Sequence, residues 1–300
     1  MPMSGAIEAV ADAFAAISLK RLTQPARMRI SLPKGDTLLM PAFLDSDTPS
    51  ARAYTIKIVS IFPENPKQGL PTCPGLLVCL NPDTGVPLAL MDAHALTTLR
   101  TGAAGGLSAK VLSREDSTVL TCIGCGDQAR GQIEGILAVR PIHRIHLVGR
   151  DKGRAKPLLD WLATHSVTFD FTTDADDAVT QADIVACATS SSTPVFSASA
   201  VRAGAHVISV GAYRADMAEV PAEVVQTARV FVDQMEAAQH EAGDLLKANV
   251  KPTMELGQVL LEQVPGRENA EQVTFFKSVG LAAQDAAVAQ RILTESSTAE

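Results

Sequence analysis

The sequence lacks the long apolar runs of a membrane protein. No stretch reaches the roughly 18 to 20 consecutive apolar residues that a bilayer-spanning helix needs. Residues 1–17 carry acidic side chains at helical spacing, whereas a secretory signal peptide begins with a basic region. We therefore expect a soluble, unprocessed protein without a membrane partner.

Basic residues are too few for a typical nucleic-acid-binding protein. Lys and Arg total 26 against 33 Asp and Glu, so the formal net charge is -7, and no long basic run offsets it. Because a net negative charge opposes attraction to phosphate backbones, we expect no nucleic-acid partner.

Cysteine is also scarce, with five residues in a chain of 300, an odd number and a low density for a disulfide framework. This usage is typical of a reducing compartment, so we expect a cytoplasmic protein. Cys122 and Cys125 form a CxxC pair, but no second pair of Cys or His follows at the spacing of a zinc site. We predict that the cysteines pack in strands and loops and bind no metal.

The composition is otherwise that of a folded globular protein, with 46% hydrophobic and 20% charged residues. A chain of 300 residues exceeds the size at which a single hydrophobic core stops growing. Two domains are therefore expected.

The first third of the chain predicts a mixed domain of helices and antiparallel strands. Apolar residues at spacings of three and four predict an amphipathic helix over 7–22. Short apolar and β-branched runs, separated by Pro, Gly and Asn, predict strands at 51–61, 75–80 and 87–91. A segment rich in Ala and Leu predicts a helix over 93–112.

From residue 113 the pattern alternates strand and helix, which is the signature of a parallel sheet with crossover helices. Six strands, a full count for a Rossmann domain, are predicted at 118–123, 144–148, 167–171, 182–188, 206–210 and 229–232. We predict an α/β fold with a Rossmann dinucleotide-binding domain over 113–277. Residues 1–112, completed by residues 278–300 with a predicted alanine-rich helix at 281–293, are predicted to form a second, α+β domain for substrate binding and dimerisation.

A glycine turn follows the first predicted strand of the Rossmann domain. Gly124, Gly126 and Ala129 fit GxGxxA directly after a strand and directly before a helix. The glycines allow the backbone to approach a pyrophosphate closely, and the helix directs its N–H groups at it. The turn predicts a dinucleotide cofactor, the alternative being a strand-to-helix turn with no ligand.

The end of the second Rossmann strand bears on which dinucleotide binds. An acid at this position would accept a ribose hydroxyl and repel a 2′-phosphate. Arg150 occupies this approximate position, with Lys152 nearby, so NADPH is the expected cofactor. Asp151, one residue later, leaves NADH possible, and Arg150 has the alternative of being a solvated loop charge.

Three cations in the first domain are candidates for a substrate site: Arg27, Lys57 and Arg100. Alternation along the strand places Lys57 on one face with Thr55 and Val59. A lysine there either faces solvent or is held inside for a task. Arg100, taken alone, has the same alternative of being a surface charge.

Seven motifs together resemble the ornithine cyclodeaminase and mu-crystallin family, and the similarity extends along nearly the whole chain. They are QPAR (24–27), LLMPAF (38–43), NPDTGVPLALMDA (81–93), RTGAAGGLSAK (100–110), IGCGDQAR (123–130), EAGDL (241–245) and FKSVG (276–280). The resemblance implies an NAD(P)-dependent homodimer that acts on a small amino- or imino-acid substrate. No metal is implied, and helix-end contacts would account for His240, Glu241 and Asp244.

The resemblance also implies roles for individual residues. Arg27, Lys57 and Arg100 match the cations that hold the substrate carboxylate, and Lys57 and Arg100 are the implied catalytic residues. A guanidinium fork and an ammonium suit that task. Further contacts to cofactor are implied for Thr72, Arg100, Asp127, Gln128, Thr189, Val210 and Ser278, beside the glycine turn, Arg150 and Lys152.

The chain departs from the cyclodeaminases at one position. Where those enzymes carry an aspartate that acts on the ornithine amino group, this chain has Tyr213, which is expected to line the substrate pocket instead. Asp216 could replace that aspartate only if the loop were rearranged. We therefore expect a ketimine reductase that converts Δ1-pyrroline-2-carboxylate, or its six-membered homologue, to L-proline or L-pipecolate. The alternatives are alanine dehydrogenase, an iminosuccinate-type reductase, a cyclodeaminase, and a non-catalytic ligand-binding protein like mu-crystallin.

Overall fold

The computed structural model describes residues 1–48 and 51–297. Its helices, in chain order, are α1 (Met3–Ser18), α2 (Ala93–Leu112), α3 (Asp127–Leu137), α4 (Lys152–Leu162), α5 (Ala175–Thr180), α6 (Ala222–Thr227), α7 (Met235–Glu241), α8 (Gly243–Ala248), α9 (Leu256–Leu260) and α10 (Ala282–Ser297). Its strands are β1 (Leu22–Thr23), β2 (Met28–Leu32), β3 (Gly35–Leu44), β4 (Ala53–Ile61), β5 (Gly75–Leu80), β6 (Pro87–Asp92), β7 (Val119–Ile123), β8 (Arg144–Val148), β9 (Thr168–Thr172), β10 (Ile184–Cys187), β11 (His206–Ser209), β12 (Arg229–Val232) and β13 (Thr274–Lys277). None of the described helices combines the length and apolar character needed to cross a membrane.

The chain divides into two compact units. Unit 1 consists of the described residues within Met1–Arg100 and Leu281–Glu300, and unit 2 is Thr101–Gly280. These boundaries differ from the predicted ones at 112/113 and 277/278. Of the predicted C-terminal range, residues 298–300 lie outside the described residues.

Unit 1 is an antiparallel sheet covered on one face by helices. The sheet has the order β1-β3-β4-β5-β6, with β2 also paired to β3. Helix α10 packs on α1 and on strands β3 and β4. Side chains alternate along β4, so that Thr55, Lys57 and Val59 are buried on the helix-covered face. Lys57 therefore belongs to the interior of unit 1.

Unit 2 is a doubly wound parallel sheet, which confirms the predicted α/β Rossmann fold. Its strand order is β12-β13-β11-β10-β7-β8-β9, and every pairing is parallel. The expected count of six strands is wrong, because the described part of the chain contributes seven to this sheet. The additional strand, β13, lies between β11 and β12.

Glycines explain why the unit boundary lies inside α2. An added Cβ at Gly102 would lie 2.2 Å from the carbonyl oxygen of Gly131, and one at Gly106 would lie 2.5 Å from that of Gly135. Only glycine permits such a close approach of the α2 and α3 backbones. The C-terminal part of α2 therefore packs as part of unit 2.

Three further differences from the sequence prediction lie in unit 1. Helix α1 spans Met3–Ser18 and not residues 7–22, because the chain turns at its C-terminus and enters β1 at Leu22. The hairpin of β2 and β3 was not predicted at all. The final helix continues beyond the predicted end at residue 293.

Candidate active site

Lys57 is buried in unit 1 against a carboxylate. Its side chain is 1% exposed, and its Nζ lies 2.6 Å from Oδ2 of Asp285 and 3.4 Å from the Thr97 hydroxyl oxygen. Burial lowers the pKa of Lys57 to about 8; the charge of Asp285 counteracts this effect, whereas Arg100 and Arg27 add to it. The ammonium can therefore gain and lose a proton near neutral pH.

Arg100 shares the same carboxylate. Its Nε donates to Oδ1 of Asp285 at 3.1 Å, and its Nη1 donates to Oε1 of Gln284 at 2.7 Å. Asp285 thus bridges Lys57 and Arg100. The side chains of all four residues, Lys57, Arg100, Gln284 and Asp285, are buried. We call Lys57, Arg100 and Asp285 the cation cluster.

Two buried cations share one buried carboxylate in the cation cluster. One carboxylate, that of Asp285, faces Lys57 and Arg100, and Arg27 lies near enough for its charge to lower the pKa of Lys57. Excess buried charge is costly unless it is paired. The cation cluster therefore favours an anionic ligand, and a carboxylate suits the guanidinium geometry.

Asp285 was not predicted from the sequence. It lies in the first turn of an alanine-rich helix, 185 residues from Arg100, and no local motif connects the two. The available signal was a lysine within an apolar strand, because such a lysine requires an anionic partner if it is buried.

The glycine turn in unit 2 has the geometry of a dinucleotide site. Gly124 has a φ of +120°, and an added Cβ there would lie 2.4 Å from the Ala188 carbonyl oxygen. Gly126 precedes α3, and an added Cβ there would meet nothing within 4 Å. The N-cap residue of this helix is Gly126, which makes no side-chain capping hydrogen bond, and a helix N-terminus of this kind suits an anion such as pyrophosphate. The turn fits the cofactor that its sequence predicts.

Two cations follow strand β8, and the acid between them, Asp151, caps helix α4. Arg150 and Lys152 are exposed there. The Asp151 carboxylate accepts hydrogen bonds from the backbone N–H groups of Gly153 at 2.8 Å and Arg154 at 3.3 Å, and so caps α4. This arrangement favours a phosphate on the ribose over a free hydroxyl.

Other predicted cofactor residues lie at the same carboxyl edge of the parallel sheet. Thr189 and Val210 follow β10 and β11, Ser278 follows β13, and Asp127 and Gln128 begin α3. The Ser278 hydroxyl donates to Asp233 at 2.9 Å. Ligands bind at this edge in open parallel sheets.

Thr72 belongs to unit 1, unlike the other predicted cofactor residues except Arg100. It lies in the loop between β4 and β5, where its carbonyl accepts a hydrogen bond from the Phe62 N–H at 2.9 Å.

A metal-binding cluster does not occur among the described residues, where no group of three or more His, Cys, Asp or Glu side chains could hold an ion.

Comparison with known proteins identifies the family of the chain. The profile of the ornithine cyclodeaminase/mu-crystallin family matches residues 1–299. The chain belongs to this family. It is 37% identical over 295 residues to the Δ1-pyrroline-2-carboxylate reductase of Bacillus thuringiensis subsp. konkukian, covering 93% of this chain and 89% of that protein. It is 35% identical over 296 residues to the alanine dehydrogenase of Archaeoglobus fulgidus, covering 96% and 89%.

A solved structure of the family is also similar in fold. It is the Δ1-pyrroline-2-carboxylate reductase of Thermococcus litoralis in complex with NADH and L-proline. Its TM-score to this chain is 0.92 at 32% identity, covering 99% of this chain and 95% of that one.

The loop after β11 contains the position at which the sequence is expected to depart from the cyclodeaminases. Tyr213 stands where the cyclodeaminase aspartate is expected, and the Arg214 guanidinium lies 6.0 Å from the centre of its ring. Asp216 is exposed and accepts hydrogen bonds from Arg214 at 3.1 and 3.0 Å. Asp216 is therefore engaged with Arg214 at the surface of unit 2 in this conformation.

Proposed function

We propose that the protein reduces a cyclic ketimine, Δ1-pyrroline-2-carboxylate or its six-membered homologue, to L-proline or L-pipecolate with NADPH or NADH. The observation that carries this proposal is the cation cluster, in which two buried cations face one carboxylate. One of the two cations, Lys57, has a pKa that suits a proton donor. The reductases among the relatives support the same chemistry. The L configuration rests on family similarity.

The cation cluster would hold the substrate carboxylate. Arg100 offers planar donors and Lys57 a compact charge, while Arg27 supplies a third cation. Asp285 keeps the first two side chains together. The substrate would thus be oriented by its carboxylate, with its C=N carbon left open to attack.

Lys57 would also supply the proton that activates the imine, directly or through a bound water. An iminium is far more electrophilic than a neutral imine, so proton transfer to the nitrogen lowers the barrier to hydride addition. A group with a pKa of about 8 is mostly protonated at neutral pH and can still release its proton.

The glycine turn, the start of α3 and Arg150 would hold the nicotinamide cofactor. Gly126 leaves room for the pyrophosphate, and the N-terminal N–H groups of α3 offer it hydrogen bonds. When bound, the reduced cofactor supplies the hydride.

The proposal is tested by following NADPH oxidation with Δ1-pyrroline-2-carboxylate, with pyruvate plus ammonia, and without substrate. Turnover of ornithine with NAD is measured in parallel. We expect the cyclic imine to be the best substrate. Conversion of ornithine to proline would contradict the proposal, as would tight NADPH binding without turnover of any imine.

A second candidate is alanine dehydrogenase activity, which the 35% identity to the Archaeoglobus fulgidus enzyme favours. The imine of pyruvate carries the same carboxylate next to a C=N bond, so the cation cluster could hold it as well. A higher kcat/KM with pyruvate plus ammonia than with the cyclic imine would select this function.

Replacing Asp285 by Asn is expected to move the pH profile of reduction to lower pH. Reduction requires protonated Lys57, so kcat/KM should fall as pH rises through about 8 in the wild type. Because Asp285 raises the pKa of Lys57, its neutralisation should move this limb by roughly one pH unit towards acid. The control is Asp83→Asn, at an exposed residue of unit 1 paired with Arg52. An unchanged limb in Asp285→Asn would contradict the role of Lys57 as proton donor.

Replacing Arg150 by Ala is expected to weaken NADPH binding selectively. Loss of a charge-assisted contact to the 2′-phosphate should raise Kd for NADPH roughly 10-fold, and Kd for NADH should stay constant. Fluorescence titration with both cofactors measures this. Lys156→Ala, at an exposed residue of α4 paired with Asp160, is the matched control. Equal weakening of both cofactors would show that Arg150 does not read the phosphate.

The protein is further proposed to form a homodimer through the uncovered face of the unit 1 sheet. The face opposite the helices carries exposed apolar side chains across four strands. They are Met28, Ile30, Leu32, Ile58, Leu76, Leu88 and Leu90. A continuous apolar face of this kind marks an interaction surface, and a second copy offers a self-complementary one.

Replacing Leu90, which is 65% exposed, by Glu is expected to shift the protein from dimer to monomer. A charge on each copy would be desolvated at a two-fold interface. Light scattering during size exclusion measures the mass, and we expect it to halve at micromolar concentration. Leu246→Glu, at an exposed leucine of unit 2, should remain dimeric. A monomeric wild type, or a dimeric Leu90→Glu, would contradict this interface.

A further inference from the structure

Unit 2 contains a buried polar cluster that the proposed chemistry does not use. It consists of Ser209, Glu219, Asp244 and Lys277, which we call the Glu219 cluster, and each is at most 1% exposed. Burying two carboxylates and an ammonium is costly unless each has partners. The partners present indicate what the cluster does.

Glu219 collects backbone N–H groups from two loops. Its Oε1 accepts from Thr189 at 2.5 Å, and its Oε2 accepts from Gly211 at 2.7 Å and Ala212 at 3.2 Å. Thr189 lies in the loop after β10, and Gly211 and Ala212 lie in the loop after β11. One carboxylate therefore ties the two loops together at the carboxyl edge of the sheet.

The loops are also in close contact with each other at this point. A Cβ added to Gly211 would lie 2.0 Å from the Thr189 carbonyl oxygen and 2.6 Å from Glu219 Oε1. Gly211 therefore lets the two backbones meet around the Glu219 side chain.

Asp244 binds the backbone of Glu219 and is itself paired with Lys277. Asp244 Oδ1 accepts the backbone N–H groups of Glu219 at 2.6 Å and Val220 at 3.0 Å, while its Oδ2 lies 3.1 Å from Lys277 Nζ. Burial alone would raise the pKa of Asp244, but Lys277 and these N–H donors hold it below its ordinary value. Asp244 lies in the first turn of α8, at a helix end as expected, and its contacts make it part of a buried network.

Ser209 links the two carboxylates. Its hydroxyl oxygen lies 2.8 Å from Glu219 Oε2 and 2.7 Å from Asp244 Oδ2, and it accepts a hydrogen bond from Lys277 Nζ at 2.9 Å. Ser209 ends β11 and is the register partner of Lys277 at the end of β13. The Glu219 cluster is therefore anchored on two strand ends.

We propose that Glu219 is a positioning residue that fixes the loops after β10 and β11 for the nicotinamide half of the cofactor. A doubly wound sheet binds a dinucleotide with two mononucleotide halves, and the glycine turn after β7 belongs to the other half. The two loops tied by Glu219 contain Thr189 and Val210, both candidate cofactor residues. This inference rests on the proposed function only in requiring a dinucleotide.

The test replaces Glu219 by Gln and measures affinities for NADPH and for 2′,5′-ADP, which lacks the nicotinamide half. An amide of the same shape must turn a donor towards the Thr189 N–H or towards those of Gly211 and Ala212, so one loop loses its acceptor. We expect Kd for NADPH to rise roughly 10-fold and Kd for 2′,5′-ADP to stay constant.

Asp216→Asn is the matched control, because Asp216 is an exposed acid beyond the same loop and is paired with Arg214. It should leave both affinities unchanged. An equal loss of affinity for NADPH and for 2′,5′-ADP in Glu219→Gln would overturn the inference, because that result indicates general disruption of unit 2. Wild-type affinity for NADPH would overturn it as well.

Ser209→Ala provides an independent route if Glu219→Gln fails to fold. It removes the hydroxyl between the two carboxylates and leaves in place the Glu219 carboxylate that accepts the backbone N–H groups of the two loops. It should likewise weaken the binding of NADPH and leave the binding of 2′,5′-ADP unchanged. A wild-type affinity for NADPH in this variant would overturn the inference. A wild type that binds NADPH but reduces no imine would contradict the proposed function and leave the role of Glu219 intact.

Discussion

Replacing Lys57 by Ala is expected to lower kcat/KM for Δ1-pyrroline-2-carboxylate roughly 1,000-fold, with NADPH affinity near that of the wild type. The substitution removes both a contact to the substrate carboxylate and the proposed source of the imine proton. Arg100→Ala should act mainly by raising KM. Steady-state kinetics of reduction and fluorescence titration with NADPH measure the two effects.

Stability must be controlled in this experiment, because Lys57 is paired with a buried acid. Removal of one partner from a buried ion pair costs about 3–5 kcal/mol. Lys57→Met keeps most of the apolar volume of the lysine stem, leaves Asp285 paired with Arg100, and should fold better than Lys57→Ala while remaining equally inactive. Lys67→Ala, at an exposed lysine of unit 1 paired with Glu64, is the activity control. Loss of NADPH binding in folded Lys57→Ala would show that the carboxylate assignment is wrong.

Replacing Gly126 by Ala is expected to weaken cofactor binding strongly without destabilising the fold. An added Cβ at Gly126 meets no protein atom within 4 Å, and its φ of -95° is open to alanine. The methyl group would instead occupy the space through which the pyrophosphate approaches the backbone. We expect Kd for NADPH to rise roughly 100-fold and the cofactor-free melting temperature to stay constant or rise slightly.

Gly124→Ala is the informative comparison for Gly126→Ala. At Gly124 the φ of +120° and the Ala188 carbonyl oxygen both oppose a side chain, so this variant should lose stability as well as affinity. Thermal unfolding without cofactor, followed by NADPH titration, separates the two variants. Unchanged NADPH affinity in Gly126→Ala would place the dinucleotide elsewhere in the protein.

The Rossmann unit was largely predictable because each of its early strands is a short apolar run between turn residues. Strand β8, for example, has the predicted bounds. Strand β13 escaped prediction because it ends in a lysine next to a polar segment. The burial of Lys277 depends on Asp244, which is distant in sequence, and no local pattern encodes that pairing.

Strand β3 shows a different limit of sequence interpretation. It contains Pro41, which cannot donate a hydrogen bond to a sheet ladder, and such a residue argues against a strand. Here Pro41 is the register partner of Ile56, and the remaining pairs of the long β3–β4 ladder maintain the strand. Tertiary pairing therefore overrides the local signal.

The candidate site was predictable in its residue types and not in its electrostatics. Alternation along β4 correctly placed Lys57 with Thr55 and Val59, but the pattern could not show whether that face was wet. Helix α10 covers the face and brings Asp285 to Lys57. The lowered pKa of Lys57 follows from that burial, so it could be obtained only from the fold.

The most direct test of carboxylate binding by the cation cluster is the ratio of kcat/KM for Δ1-pyrroline-2-carboxylate to kcat/KM for Δ1-pyrroline. The second compound has the same ring and C=N bond without the carboxylate. If the cation cluster holds the carboxylate, the ratio should be roughly 1,000 or more in the wild type and collapse in Arg100→Ala. Similar kcat/KM values for the two imines in the wild type would contradict the account.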